Sequence, residues 1–232
     1  VKRDANVLMV ERVAKALGPL RTQMVFLGGC ATSFLLTDPA ATAVRMTRDV
    51  DLIVDATSRT SYHRLERQLS RLGFRHDTSE AAPLCRWLLD DLLVDVMPTD
   101  SALLGFSNRW YPEAIRSSIR RTLDNGLEIA LISPPCFLAT KLEAFQGRGR
   151  GDFAASHDIE DVVCVVDGRA EIVEEVRASD DALRAYLRDR LGSLLGENRF
   201  LSALPGHLPS DSASQARLPL LRRRLASIAG VK

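Results

Sequence analysis

The stretch "RDVDLIVD", residues 48–55, constrains this chain more than any other. It reads as a β-strand by its Val, Leu, Ile, Val content, yet it carries two aspartates, Asp49 and Asp51, at alternate positions. Side chains alternate faces along a strand, so both carboxylates point the same way, about 6.5 to 7 Å apart, while Val50 and Leu52 take the opposite face. A strand of this kind needs a core on one side and, on the other, something that makes two adjacent negative charges tolerable.

A third carboxylate sits in similar company. In "LLVDVMP", Val94 and Val96 alternate with Asp95, and Leu93 and Met97 share the aspartate's face. An aspartate in an apolar strand is costly unless a partner compensates it. Three carboxylates brought together repel, unless cations occupy the space between them. Hard oxygen donors suit Mg²⁺ or Mn²⁺, and a pair of such ions is the usual device for in-line phosphoryl or nucleotidyl transfer. The competing reading is structural: aspartates at strand ends often cap turns or meet surface arginines, and Arg45 and Arg48 are close by.

Upstream, "MVFLGGCATSFLL" predicts a short strand that runs into Gly28-Gly29 and then into a helix. Backbone N–H groups exposed at such a turn favour an anion such as phosphate. No GK[ST] follows and no GxGxxG is present, which sets aside the P-loop and the dinucleotide fingerprint.

The remaining chain is read from its periodicity. A helix is expected from Val7 to Leu17, and another from Ser58 or Ser61 to Gly73. Two antiparallel strands are expected around Asp90-Asp91, and a hairpin whose turn is Asn125-Gly126, both residues with positive φ. After Ser133 the pattern is helical throughout, with "QGRGRGDFAASHD" a basic glycine-rich loop and "LPGHLPSDSASQARLP" a polar linker before a last basic helix. Arg148 and Arg150 in that loop are equally compatible with RNA phosphates and with plain loop charge.

The chain's 31 basic and 30 acidic residues leave a net charge of +1, so polyanion binding would have to come from a local patch. No apolar run approaches the ~20 residues that span a bilayer, and the charged, amphipathic start has no signal-peptide core; the expectation is a cytoplasmic protein without a membrane segment. Four scattered cysteines and four histidines show no zinc spacing and read as free thiols and ordinary imidazoles.

Together these segments resemble the nucleotidyltransferase superfamily of the DNA polymerase β type: a Gly-Gly turn, a helix, DxD on a strand and a third carboxylate on a later strand. "FLGGCATSFLL", "RMTRDVDLIVD" and "SPPCFLATKLEAFQGRGRGDFAASHDIEDVV" are more narrowly similar to the AbiEii/AbiGii nucleotidyltransferase toxins, over residues 25 to 165. The resemblance implies an α/β nucleotidyltransferase fold, with a mixed β-sheet flanked by helices over 1–132 and a helical C-terminal region over 133–232.

It implies that Gly28 and Gly29 shape the turn under the triphosphate, that Asp49, Asp51 and Asp95 hold Mg²⁺ or Mn²⁺, and that Asp95 also helps to position or deprotonate an acceptor hydroxyl. Lys141 would reach the triphosphate, and Asp158 and Asp161 would match the family's later aspartate pair. The chain departs from the family pattern at Cys30, where a hydroxyl is usual and Thr32 or Ser33 would substitute, and at His157, which replaces a lysine. The implied activity is transfer of a nucleoside monophosphate from an NTP to a hydroxyl on RNA such as tRNA, by a toxin restrained by a separate antitoxin. A small-molecule nucleotidyltransferase and a non-catalytic NTP-binding module remain as alternatives; a DxD phosphatase fits less well, because Leu52-Ile53-Val54 continues the strand beyond the aspartates. Oligomeric state is not legible in the sequence.

Overall fold

A computed structural model describes residues 4–56, 58–149 and 151–231, and the side chain of Arg148 as well as all of Arg150 lie outside the described set. The chain forms two compact units: Val1–Ser33 with Arg45–Ser133, and Phe34–Val44 with Pro134–Lys232.

The first unit is built on a seven-stranded mixed sheet. Its strands are β1 (Met24–Leu27), β2 (Asp49–Val54), β3 (Arg75–His76), β4 (Arg86–Leu89), β5 (Leu92–Pro98), β6 (Ile119–Thr122) and β7 (Glu128–Leu131), in the order β3-β4-β5-β2-β1-β7-β6. β2 runs parallel to β5 and β1 parallel to β7, and the other neighbours are antiparallel. This is the α/β architecture with a helix-flanked mixed sheet that the resemblance implies.

The alternation is regular where it matters. Val50 and Leu52 of β2, Trp87 and Leu89 of β4, and Val94 and Val96 of β5 are all buried, whereas Asp49, Asp51, Arg86, Leu88, Leu93 and Met97 on the other face are partly open. One face therefore lies in the core and the other carries the charges, as period-2 patterning requires.

Helix α1 (Ala5–Leu17) starts at Asp4, whose carboxylate accepts from the Asn6 amide, and buries Val10, Val13, Ala14 and Leu17. A 3-10 turn, Gly18–Gln23, leads into β1. After β1 comes a 3-10 turn at Gly29–Ala31 and then the expected helix, α2 (Thr32–Leu35), which is a single turn. α3 (Arg59–Arg71) is capped by a reciprocal Ser58–Ser61 box and turns Tyr62, Leu65 and Leu69 inward. Short helices α4 (Ser101–Leu104) and α5 (Tyr111–Arg116) complete this unit.

The β6–β7 hairpin corrects one detail. Thr122 pairs with Glu128, so the loop holds five residues, with Gly126 N–H donating to Leu123 O and Gly126 alone supplying the positive φ, 81°. A wider turn closed by one left-handed glycine replaces the two-residue Asn-Gly turn.

The second unit is helical: α6 (Pro134–Arg148), α7 (His157–Gly168), α8 (Ile172–Ala178), α9 (Asp181–Leu195), α10 (Asn198–Ala203), α11 (Ser212–Gln215) and α12 (Leu218–Ala229). α6 runs further into the glycine-rich stretch than its composition suggests. The stretch read as a linker is ordered, because Leu204 and Leu208 are buried and the Gln215 amide donates to the carbonyls of Pro205, Leu208 and Pro209.

An ion network organises this unit. Asp167, fully buried at the end of α7, accepts from Arg217 Nε at 2.8 and 3.0 Å, while Arg217 Nη2 also reaches Asp38 at 2.8 Å and so ties the 34–44 segment to α12. Removing one member of a buried pair strands the other charge, at a cost of about 3–5 kcal/mol. Arg217→Met is therefore expected to lower the unfolding free energy by about that amount, and Arg217→Met combined with Asp167→Leu to recover most of it. Urea denaturation checks this, and a silent single variant contradicts it.

Candidate active site

The parallel register of β2 with β5 places Asp51 directly beside Asp95, with Asp49 beside Leu93. Like charges at paired positions repel. Even so, one carboxylate oxygen from each of Asp49, Asp51 and Asp95 lies within 4.8 Å of the other two. Asp95 is buried, and the other two are half-buried.

Arg86 makes this tolerable. β4 and β5 are joined by a two-residue turn at Asp90-Asp91, with Asp90 at φ 53°, which puts Arg86 opposite Asp95. Its Nε donates to Asp95 Oδ1 at 2.8 Å and its Nη2 to Asp95 Oδ2 at 2.7 Å, and Nη2 is 3.5 Å from Asp49 Oδ2. The hydrogen bonds from Arg86 to Asp95, helped by the charges of Asp95 and Asp49, raise the guanidinium pKa against the opposing effect of burial. In the sequence, Arg45 and Arg48 stand out only as structural partners of strand-end aspartates, and Arg86 does not stand out at all. The two-residue turn held the signal, since it sets the pairing from Leu89–Leu92 back to Arg86–Asp95.

The glycine turn packs onto the same spot. Gly28 has φ 73°, and a Cβ there would overlap the Asp51 carboxylate. Only a glycine leaves room for Asp51 to turn toward its partners, and only a glycine adopts this backbone without strain. Leu27 pairs with Asp51 across β1 and β2, which brings Gly28 to that carboxylate.

The approach to β2 is held by α1. The buried Asn6 side chain donates to Arg45 O at 2.9 Å and accepts from Thr47 N at 3.0 Å, and Thr47 Oγ1 donates to Asp49 O at 3.1 Å. Asn6 thus positions Asp49 from 43 residues away in sequence, with no local pattern to announce it.

Other candidates are placed as follows. Gly29 is buried in the 3-10 turn. Ser33 Oγ donates to Asp4 Oδ2 at 2.6 Å, and Thr32 is buried, its hydroxyl without a hydrogen-bond partner among the described residues. Cys85, next to Arg86, has its thiol pushed up to about 12 by burial and by the charges of Asp95 and Asp51, so it stays neutral. Lys141 and Asp158 belong to the helical unit and form a cluster of their own with Asp161: Lys141 Nζ is 2.6 Å from Asp161 Oδ2 and 3.5 Å from Asp158 Oδ1. His157 is at the surface, 3.0 Å from Glu160.

The carboxylate trio fits a hard divalent cation by donor type and spacing. Arg86→Met would remove the cation that pairs with Asp95 and faces Asp49. It is expected to lower metal-free stability by about 2 kcal/mol, less than for a fully buried pair because the site is partly open. Mn²⁺ should then raise the melting temperature of the variant more than that of the wild type. Thermal melts with and without Mn²⁺ check this, and equal shifts in the two proteins contradict it.

No protein-family model and no curated protein sequence matches the chain. Among solved structures, it is similar to an antigenic nucleotidyltransferase-like protein from Paracoccidioides brasiliensis, with a TM-score of 0.52 and 22% identity over 89% of this chain and 94% of that one. It is also similar to the antibiotic-resistance factor ANT(2'')-Ia, with a TM-score of 0.50 and 19% identity over 82% of this chain and 95% of that one. At these identities the likeness establishes the fold, and the fold is nucleotidyltransferase-like.

Proposed function

We propose that this protein is a metal-dependent nucleotidyltransferase that moves a nucleoside monophosphate from an NTP to an acceptor hydroxyl on RNA. The observation that carries the proposal is the convergence of Asp49, Asp51 and Asp95 from two parallel strands, in a fold shared with a nucleotidyltransferase-like protein.

Asp49, Asp51 and Asp95 would hold Mg²⁺ or Mn²⁺. When bound, such ions neutralise charge on the triphosphate and on the attacking and leaving oxygens. Gly28 makes room for the Asp51 carboxylate, and the turn at Gly28 and Gly29 would lie under the triphosphate. The acceptor oxygen forms a bond to the α-phosphorus, the bond from that phosphorus to the bridging oxygen breaks, and pyrophosphate departs. Asp95 would help to position or deprotonate the acceptor hydroxyl. Arg86 holds the Asp95 carboxylate flat and in place for that task. Positioning of this kind dominates phosphoryl-group transfer, which leaves little covalent work to the protein.

Within the helical unit, Lys141 is proposed to bind triphosphate oxygens, giving up Asp161 and Asp158 as it does so. Thr32 and Ser33 are proposed to stand in for the hydroxyl absent at Cys30. The similarity to AbiEii/AbiGii proteins extends the proposal to a toxin restrained by an antitoxin protein. The likeness to an antibiotic-resistance factor supports a second reading, in which the acceptor is a small molecule.

Incubation with Mg²⁺, each α-labelled NTP in turn and total cellular RNA tests the proposal. Label is expected on RNA with one preferred nucleotide, and Asp51→Asn is expected to lower the rate by at least ~10³-fold while leaving the melting temperature near that of the wild type. Full activity in that variant contradicts the site; label on an added aminoglycoside but not on RNA contradicts the acceptor.

A further inference from the structure

The surface of α3 and the strand after it carries charge that the fold does not use. Between residues 59 and 76 there are five arginines and one glutamate, in a chain whose net charge is +1. Arg59, Arg64, Arg67, Arg71 and Arg75 are all exposed, and none makes an ion pair or side-chain hydrogen bond among the described residues. Several arginines elsewhere are engaged, Arg12 with Asp91, Arg86 with Asp95, Arg169 with Glu175 and Arg217 with Asp167, whereas Arg48, Arg121, Arg190, Arg222 and Arg223 are scattered rather than gathered on one helix face. The one acid of the segment, Glu66, is turned to imidazoles instead, with His63 Nδ1 at 2.5 Å and His76 Nε2 at 3.5 Å.

The geometry aligns these charges. At 100° per residue, Arg64, Arg67 and Arg71 share the helix face opposite the buried stripe of Tyr62, Leu65 and Leu69, over about 10 Å of axis. Arg75 lies on β3, the edge strand, and pairs with Leu88, which pairs with Leu93, which pairs with Asp49. Cross-strand partners share a face, so Arg75 and Asp49 stand on one side of the sheet, three strand spacings or about 15 Å apart. The cations thus flank the β3 edge from both sides: α3, whose Glu66 reaches His76 on the face of Trp87 and Val94, carries Arg64, Arg67 and Arg71 on the side away from the carboxylates, and Arg75 stands on the carboxylate side.

The chemistry of the surface selects the partner. A bilayer would need an apolar stripe to insert, and that of α3 is already spent: Leu65 and Leu69 are buried and Tyr62 Oη donates to Val96 O at 3.1 Å. Evenly spaced guanidiniums with only Leu72 as an exposed apolar neighbour suit a phosphate backbone, where each neutralised phosphate releases counterions.

We infer that α3 and β3 form the binding surface for the sugar-phosphate backbone of the acceptor RNA, with Arg64, Arg67, Arg71 and Arg75 contacting phosphates. This rests on the proposed transfer to RNA, and its test does not depend on turnover. Binding of a short fluorescein-labelled single-stranded RNA is measured by anisotropy over a potassium chloride series, in the wild type and in Asp51→Asn. The two should bind alike. Arg64→Ala/Arg67→Ala/Arg71→Ala should weaken binding by at least ~10-fold and reduce the slope of log K against log salt by about 2, as expected for three lost contacts on a single strand. The corresponding lysine triple should retain most of the slope, because charge is kept.

Arg177→Ala/Arg222→Ala/Arg223→Ala removes equal charge from the other unit and should change neither quantity. An unchanged slope in the α3 triple, an equal loss in the control triple, or tighter binding of single-stranded DNA of the same sequence would overturn the inference. Loss of RNA binding in the α3 triple without label transfer to any acceptor in the wild type would sink the transferase reading and leave the surface standing.

Discussion

The candidate site depends on one pairing, the parallel register that sets Asp51 beside Asp95. Two carboxylates at paired positions on neighbouring strands are unfavourable, and a third, Asp49, is within 4.8 Å. The fold accepts this because three compensations meet there. Arg86 arrives from β4 on the register of a two-residue turn, Gly28 leaves a gap into which the Asp51 carboxylate turns, and Val50, Leu52, Val94 and Val96 bury the opposite face of the same strands. The hydrophobic face holds the strands together, and the cost of the acidic face is carried locally.

Much of this was legible because it is periodic. The alternation in "DVDLIV" and "LLVDVMP", the glycine pair after "MVFL" and the turn at Asp90-Asp91 each specify a local geometry, and the α/β architecture follows from their order. The carboxylates were visible as a group because each sits on a strand whose other face is plainly core. What escaped was non-local or too short for a pattern. Asn6 acts through a contact between α1 and the 45–47 loop, and a lone asparagine near a helix start has many commoner explanations. Arg86 is reached by counting back from the turn, but it is far in sequence from Asp49 and Asp51, beside which Arg45 and Arg48 lie.

The departures have a shared cause. "LPGHLPSDSASQARLP" is polar by composition, yet two leucines in it are buried and one glutamine ties three carbonyls, so a few tertiary contacts outweigh the average character of the segment. In the hairpin, Leu123 is buried, and the loop widens to five residues around the single left-handed glycine. In the helical unit, buried Asp167 reads as an ordinary helix-end acid in sequence, and only Arg217, fifty residues later, explains it.

The central claim is that Asp49, Asp51 and Asp95 together bind a divalent cation that carries an NTP. A crystal grown with Mn²⁺ and a non-hydrolysable NTP analogue, with anomalous data collected at the manganese edge, tests it most directly. The account predicts an anomalous peak bounded by oxygens of all three aspartates and of the triphosphate, at metal–oxygen distances of about 2.0 to 2.2 Å. Density for the nucleotide elsewhere, or a trio with no anomalous peak and Arg86 as its sole cation, would contradict it.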